Sequence, residues 1–211
     1  MIRILVVDDH AIVREGLKQI LADVTDLSVR DEAANAQEAL EKIRDGEFDC
    51  VLLDISMPGR SGLEVLKEIK AERPRLPVLI LSMHAEEQYA IRALRAGASG
   101  YLTKASAPDE LIGAIRKVSC GRKYVSASLA EKLAGELDSD AGKPPHETLS
   151  DREYQVMLML ASGKAVKEIA DEVCLSVKTI STYRSRVMAK MNLKKNAELT
   201  LYAIQNRLVD C

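Results

Sequence analysis

Three acids, one hydroxyl and one lysine stand where a folded chain can bring them together. Asp8 and Asp9 follow the aliphatic run Ile2–Val7 directly, Asp54 ends the run Cys50–Asp54, Ser82 follows Val78–Leu81, and Lys104 follows Gly100–Thr103. Three carboxylates in close quarters repel one another, so such a cluster calls for a cation. Carboxylate oxygens supplemented by water suit Mg2+ or Mn2+. With its charge offset in that way, Asp54 can face a phosphoryl group, and a carboxylate can attack phosphorus to form an aspartyl phosphate. The Ser82 hydroxyl can donate to a phosphoryl oxygen, and the Lys104 ammonium can ion-pair with the same group. Any one of these residues alone reads at least as well as a helix cap or a solvated loop. The five together, each at the end of a run, carry the reading.

A second constellation lies near the other terminus. Residues 178–195 hold six basic side chains and no acidic one. At helical spacing, Ile180, Tyr183, Val187 and Met191 fall on one stripe. Lys178, Ser181, Thr182 and Ser185 fall on the opposite face, with Arg186 at its edge. Small polar side chains among cations suit entry into a DNA major groove. A solvated basic face is the plainer alternative, and six basic residues without one acid among them favour nucleic acid.

The elements that must position these residues differ between the two halves. In residues 1–120, short apolar runs (those above and a weaker one at Leu27–Ala33) alternate with amphipathic stretches. The stretches lie at Ala11–Leu21, Ala36–Arg44, Gly62–Ala71, Glu86–Ala96 and Pro108–Ser119. Five strands alternating with five helices predict a doubly wound parallel sheet whose strands are covered on both faces. If the strand order is 2-1-3-4-5, the carboxyl ends of strands one and three flank the switch point where open α/β sheets place ligands. Ser61 with Glu64 predicts a capping box before the third helix, and Pro108 suits the first turn of the fifth. Residues 121–146 form a linker, with a short helix expected from Ser128 to Leu137 and some stiffness from Pro144 and Pro145. Residues 147–211 read as all-helical: Asp151–Ala161 behind a second capping box (Ser150 with Glu153), then Ala165–Val173, Val177–Met191 and Ala197–Asn206. Gly163 ends the first of these, and Cys174–Ser176 makes a turn.

Composition sets the bounds. A chain of 211 residues with 47% apolar side chains supports two modest cores, and one Phe with no Trp makes them aliphatic. Residues 1–120 carry 16 basic against 20 acidic side chains, whereas residues 147–211 carry ten against eight. That asymmetry points to two different partners. The N-terminus is no signal peptide, since acids follow its short apolar run at once, and no stretch is apolar enough to span a bilayer. A soluble cytoplasmic protein without membrane partners is expected. Cys50, Cys120, Cys174 and Cys211 form no CxxC pair and are expected to be reduced thiols.

Residues 1–120 resemble the receiver domains of two-component response regulators through LVVDDH (5–10), LLDISMPGRSG (52–62), LS (81–82) and YLTK (101–104). The resemblance implies a flavodoxin-like (CheY-like) five-stranded sheet and a sensor histidine kinase that phosphorylates Asp54. It implies Mg2+ held by Asp9, Asp54 and the backbone carbonyl of Ser56, with Asp8 assisting. Ser82 and Lys104 take switch roles, and Tyr101 takes the aromatic position that follows Ser82. Ala36 departs from the common Gly, and Met83 from the smaller residues usual there. Ser56, Met83 and His84 are expected at the pocket rim, where they tune phosphoryl lifetime. Residues 149–204 are similar to the four-helix LuxR-type helix-turn-helix of the NarL/FixJ class. This implies Val177–Met191 as recognition helix, with Ser181, Thr182 and Ser185 reading bases. Lys178, Arg186, Lys190, Lys194 and Lys195 then contact phosphate on double-stranded promoter DNA. Arg184 projects nearer the buried side of the helix, which favours a structural ion pair there, with Glu168 as a candidate partner. The last helix of this class often mediates homodimers. Two other readings were weighed. A phosphatase of the haloacid-dehalogenase type wants a second acid two residues after the nucleophile, where this chain has Ser56. A protein-contact adaptor is disfavoured by the basic helix.

Overall fold

The apolar runs Ile2–Val7 (β1), Cys50–Asp54 (β3) and Val78–Ser82 (β4) lie inside one parallel sheet in the computed structural model. Every residue of β3 and β4 is buried, as expected of strands covered on both faces. Leu27–Ala33 (β2) and Gly100–Thr103 (β5) complete the sheet, in the order β2-β1-β3-β4-β5. The described residues are 1–126, 129–131 and 144–209, without the side chain of Glu87. Of the helix expected over 128–137, residues 129–131 are helical and the rest lies outside the described residues, as does Cys211.

The connecting helices are Ala11–Ala22 (α1), Ala36–Asp45 (α2), Gly62–Glu72 (α3), Glu86–Arg95 (α4) and Pro108–Ser119 (α5). Leu17 and Leu21 of α1 and Leu111, Ile115 and Val118 of α5 pack with Ile4, Val6, Leu52, Leu79 and Leu81 of the sheet. Each such buried aliphatic side chain contributes roughly 1.5–3 kcal/mol. The capping box of α3 forms as the sequence predicts: the Glu64 amide donates to Ser61 Oγ, and the Ser61 amide to the Glu64 carboxylate. Gly62, the first residue of α3, lies against the end of β3. A Cβ there would stand 2.0 Å from the Asp54 carbonyl oxygen, so only glycine permits this approach.

The register aligns the functional strand ends. Val7 pairs with Leu53, Asp54 with Leu81, and Ser82 with Thr103. The residues that follow β1, β3, β4 and β5 therefore emerge at one rim. Beyond α5 the chain turns back along β5. The Tyr124 amide donates to the Ser99 carbonyl at 2.8 Å, and Tyr124 bridges to Gly100. Lys123 donates to the Ala98 carbonyl, and Ser126 Oγ to Glu86 of α4.

The C-terminal helices are Asp151–Ala161 (α6), Val166–Glu172 (α7), Val177–Lys190 (α8) and Asn196–Gln205 (α9). A short 3-10 turn, Pro145–Thr148, precedes them where the sequence suggested linker. Ser150 and Glu153 form the predicted capping box of α6. Ile169, Ala170, Ile180, Val187, Met191, Leu199 and Ala203 are buried in this unit. The turn between α7 and α8 passes through Cys174 at φ 53° and ends at Ser176, whose hydroxyl accepts from the Thr179 amide. Compactness divides the chain into two units, Met1–Ala134 and Gly135–Cys211. No helix among the described residues is long and apolar enough to cross a membrane.

Candidate phosphoryl-acceptor site and nucleic-acid interface

Asp8 is fixed by its backbone before its carboxylate is considered. Its amide donates to the Ala33 carbonyl of β2, and its own carbonyl accepts from Arg14 Nη1 at 2.8 Å. Asp54 is held by β3 on one side and by the Gly62 approach on the other, while Ile55 and Met57 anchor the following loop in the core. Lys104 Nζ lies 2.5 Å from Asp8 Oδ2 and 2.9 Å from Asp54 Oδ2, and all three side chains are nearly inaccessible. The ammonium thus bridges two buried carboxylates at the ends of β1 and β3.

Burial pushes the Asp54 carboxyl above its ordinary value, and the adjacent Lys104 opposes but does not cancel that push. Burial would also discharge Lys104, yet Asp54 and Asp8 together outweigh it and hold the ammonium above its ordinary value. Asp54 Oδ1 accepts from the Ser56 amide at 3.2 Å, whereas the buried Asp54 Oδ2 is met by the Lys104 ammonium and the buried Asp9 Oδ1 by the His10 ring, each a single contact on an oxygen with two lone pairs. Buried carboxylate oxygens left in this state have coordination capacity to spare. The carboxylates of Asp8, Asp9 and Asp54, with the His10 ring, offer ligand atoms all within 4.8 Å of one another. An oxygen-rich set of this kind is compatible with Mg2+. His10 was not singled out from the sequence. Its Nδ1 lies 3.0 Å from Asp9 Oδ1 and 3.3 Å from Asp8 Oδ1, and its place directly after the two aspartates was the available signal.

Ser82 is fully buried, and its Oγ accepts from the His84 amide at 3.1 Å. The His84 carbonyl accepts from the Tyr101 hydroxyl at 2.8 Å, and His84 Nε2 lies 3.1 Å from Ser56 Oγ. His84 therefore touches the residue that follows Asp54 by two, the Ser82 hydroxyl and the Tyr101 ring system's polar end. Tyr101 is fully buried. Met83 is 75% exposed beside this rim.

On α8 the buried stripe is Ile180 and Val187, continued by Met191 just past its end. Tyr183 is only partly buried and lines a surface groove of about 310 Å³ with Ser176, Lys178, Thr179, Thr182 and Arg186. Thr179 and Tyr183 are thus additional members of this surface, missed because helical spacing assigned Tyr183 inward and left Thr179 unplaced. Ser181, Thr182, Ser185, Arg186, Lys194 and Lys195 are exposed. Lys190 Nζ is 2.6 Å from Glu153 Oε2 of α6, so its charge is shared with that buried carboxylate. Arg184 does not pair with Glu168. Its Nε donates to Asn196 Oδ1 at 3.0 Å, while the Glu168 carboxylate accepts from the Ala165 amide at the start of α7. A helix N-terminus offers unpaired amide donors nearer than any guanidinium, and Glu168 satisfies one of those.

Residues 4–116 match the response regulator receiver domain family, and residues 147–203 match the bacterial regulatory proteins of the luxR family. The chain is 38% identical over 209 residues to response regulator UvrY of Escherichia coli, covering 99% of this chain and 96% of that protein. It is 39% identical over 210 residues to response regulator GacA of Pseudomonas protegens, covering 100% and 99%. Among solved structures it resembles RcsB of Salmonella enterica serovar Typhimurium bound to promoter rprA in the presence of phosphomimetic BeF3-. That match has a TM-score of 0.66 at 25% identity and covers 95% of this chain and 97% of that one. With both halves matched in this order, the chain belongs to the two-component response regulators that join a receiver domain to a LuxR-type DNA-binding domain.

Proposed function

We propose that Asp54 is the phosphoacceptor, that a sensor histidine kinase supplies the phosphoryl group, and that phosphorylation governs how the α8 surface binds double-stranded promoter DNA. The observation that carries this reading is the Lys104 ammonium set between Asp8 and Asp54 at the rim where four strand ends meet. An Asp54 oxygen attacks phosphorus, the P–N bond of the donor histidine breaks, and the imidazole leaves with the electron pair and is protonated. Asp8, Asp9, Asp54 and the Ser56 carbonyl are the residues that would hold Mg2+ (or Mn2+), which when bound offsets phosphoryl charge. Lys104 can follow the new phosphate, and Ser82 can give up its contact with the His84 amide to donate to a phosphoryl oxygen. Because Tyr101 is tied to the His84 carbonyl, movement of this loop reaches β5.

On α8, Ser181, Thr182 and Ser185 face base edges, while Lys178, Arg186, Lys194 and Lys195 neutralise backbone phosphates and give the binding its salt dependence. Lys190 reaches phosphate only by sharing its charge with Glu153. Phosphorylation or DNA binding favours a homodimer in which α9 takes part, and a two-fold protein reads a roughly palindromic site. The relative RcsB was captured on promoter DNA, which supports this reading. The protein acts in the cytoplasm as a regulator and not as an enzyme on outside substrates, in keeping with Ser56 standing where a leaving-group acid would be needed. The domains run 1–120, 121–146 as linker, and 147–211.

Intact mass after incubation with Mg2+ and a small phosphodonor, for the native chain and for Asp54→Asn, tests this. One added phosphoryl group on the native chain alone, with altered affinity for duplex DNA, is expected. Equal labelling of both proteins, or none of either, would overturn it.

A further inference from the structure

The three hydroxyls on the outward face of α8 have already committed their protons. Ser181 Oγ donates to the Val177 carbonyl at 2.8 Å, Thr182 Oγ1 to the Lys178 carbonyl at 3.0 Å, and Ser185 Oγ to the Ser181 carbonyl at 3.0 Å. All three residues are exposed. A hydroxyl has one proton and two acceptor lone pairs. With the proton on the helix backbone, what remains facing outward is an acceptor, and in Thr182 a methyl group as well. This four-residue back-bonding is a recurrent alternative for Ser and Thr within helices. Turning a hydroxyl outward to donate would give up that bond.

The bases differ in what they offer such a face. In the major groove guanine presents only acceptors, N7 and O6, whereas adenine and cytosine each present an exocyclic amino donor and thymine presents its C5 methyl. An acceptor face gains nothing from a guanine edge. Ser181 and Ser185 are one turn apart, about 6 Å along the helix axis, so they address separate base pairs.

Resting on the assignment of α8 as the recognition helix, we propose that this helix reads its central base pairs through amino and methyl groups. Ser181 and Ser185 accept from adenine N6 or cytosine N4, and the Thr182 methyl packs on a thymine methyl. A guanine at these positions finds no donor among the three hydroxyls, and Lys178 and Arg186 at the margins of the face stay on backbone phosphate.

The test uses the full chain, treated with phosphodonor and Mg2+, and a duplex selected from a randomised pool. Within each half-site, single bases are replaced by analogues: purine for adenine (no amino group), uracil for thymine (no methyl), and 7-deazaguanine for guanine (no N7). Loss of one amino or methyl group at a central position is expected to weaken binding about tenfold, while 7-deazaguanine there changes it less than about twofold. The amino penalty should disappear in Ser181→Ala or Ser185→Ala, and the uracil penalty in Thr182→Ser, which keeps the hydroxyl but loses the methyl. Central penalties for 7-deazaguanine that vanish in the serine variants would overturn the proposal, because the hydroxyls would then be donating. Analogue penalties that persist unchanged in all three variants would overturn it as well. Failure of the underlying assignment looks different: duplex binding would be absent, or indifferent to salt and to Lys178→Ala with Arg186→Ala.

Discussion

His84 illustrates how much a single residue can join. Its amide meets Ser82, its carbonyl meets Tyr101 and its ring meets Ser56. The rim over Asp54 is therefore closed by a side-chain contact between two loops, with Met83 exposed beside it. The rim assignment of Ser56, Met83 and His84 leads to a direct expectation. Ser56→Ala and His84→Ala should each shorten the lifetime of phospho-Asp54 severalfold by admitting water, and Met83→Ala should do so less. Half-lives followed by intact mass decide it, and unchanged lifetimes in all three variants would end the idea. At this scale the sequence was informative about types and uninformative about partners. Asp8, Asp54, Ser82 and Lys104 could be named because each ends an apolar run. The bridge made by Lys104, the closeness of His10 and the inward position of Tyr101 depend on side-chain directions that spacing does not carry. Arg184 was misassigned for the same reason: its Nε donates to Asn196 at the start of the following helix, α9, and not to Glu168 of the preceding one.

At the scale of elements, α6 and α8 are tied by one buried acid. Glu153 is 3% exposed, caps α6 through the Ser150 amide and takes Lys190 from the far end of α8. Burial alone would raise its carboxyl, but the Lys190 and Ser150 contacts outweigh burial and hold it below the ordinary value of 4.5. A carboxyl depressed in the folded state adds stability above its unfolded value and loses it as pH falls through the folded one. The C-terminal unit should accordingly weaken in acid below about pH 4.5. Glu153→Gln should cost roughly 1 kcal/mol near neutral pH, since Lys190 is half exposed and the pair is partly screened. Denaturant unfolding at pH 7 and at successively lower pH checks this, because the difference between the two proteins should narrow as pH falls below about 4.5. The element boundaries themselves were legible to within a residue or so, since Ser61, Ser150 and Pro108 mark helix starts by chemistry independent of tertiary context. The 3-10 turn at Pro145–Thr148 was not, because Pro144 and Pro145 are equally at home in a linker.

For the whole molecule, two separate hydrophobic cores imply two thermodynamic responses. If the acidic cluster of the first unit holds Mg2+ as proposed, a concentration tenfold above the dissociation constant should stabilise that unit by about 1.4 kcal/mol. The second unit should not respond to the ion but should respond to acid through Glu153. Calorimetry on the full chain should resolve two transitions of which only one moves with Mg2+, and a single transition moved by the ion would contradict independent units. In the sequence alone, the opposite charge balance of the two halves points to two different partners. How the halves communicate was not visible, because nothing in local pattern encodes which surfaces meet.

The short run after α5 has a consequence for solubility. β5 is a terminal strand of the sheet, and the start of its free flank is covered by the segment around Tyr124, which is pressed so tightly on Gly100 that a Cβ there would lie 2.8 Å from it. An uncovered strand is a template for further strands, and self-association through such flanks is a common route to insoluble protein. A receiver cut at Cys120 would keep its whole phosphoryl site and still expose a ready surface for its own copies. The few residues usually counted as the beginning of a tether are also what keeps the first half of this regulator from stacking.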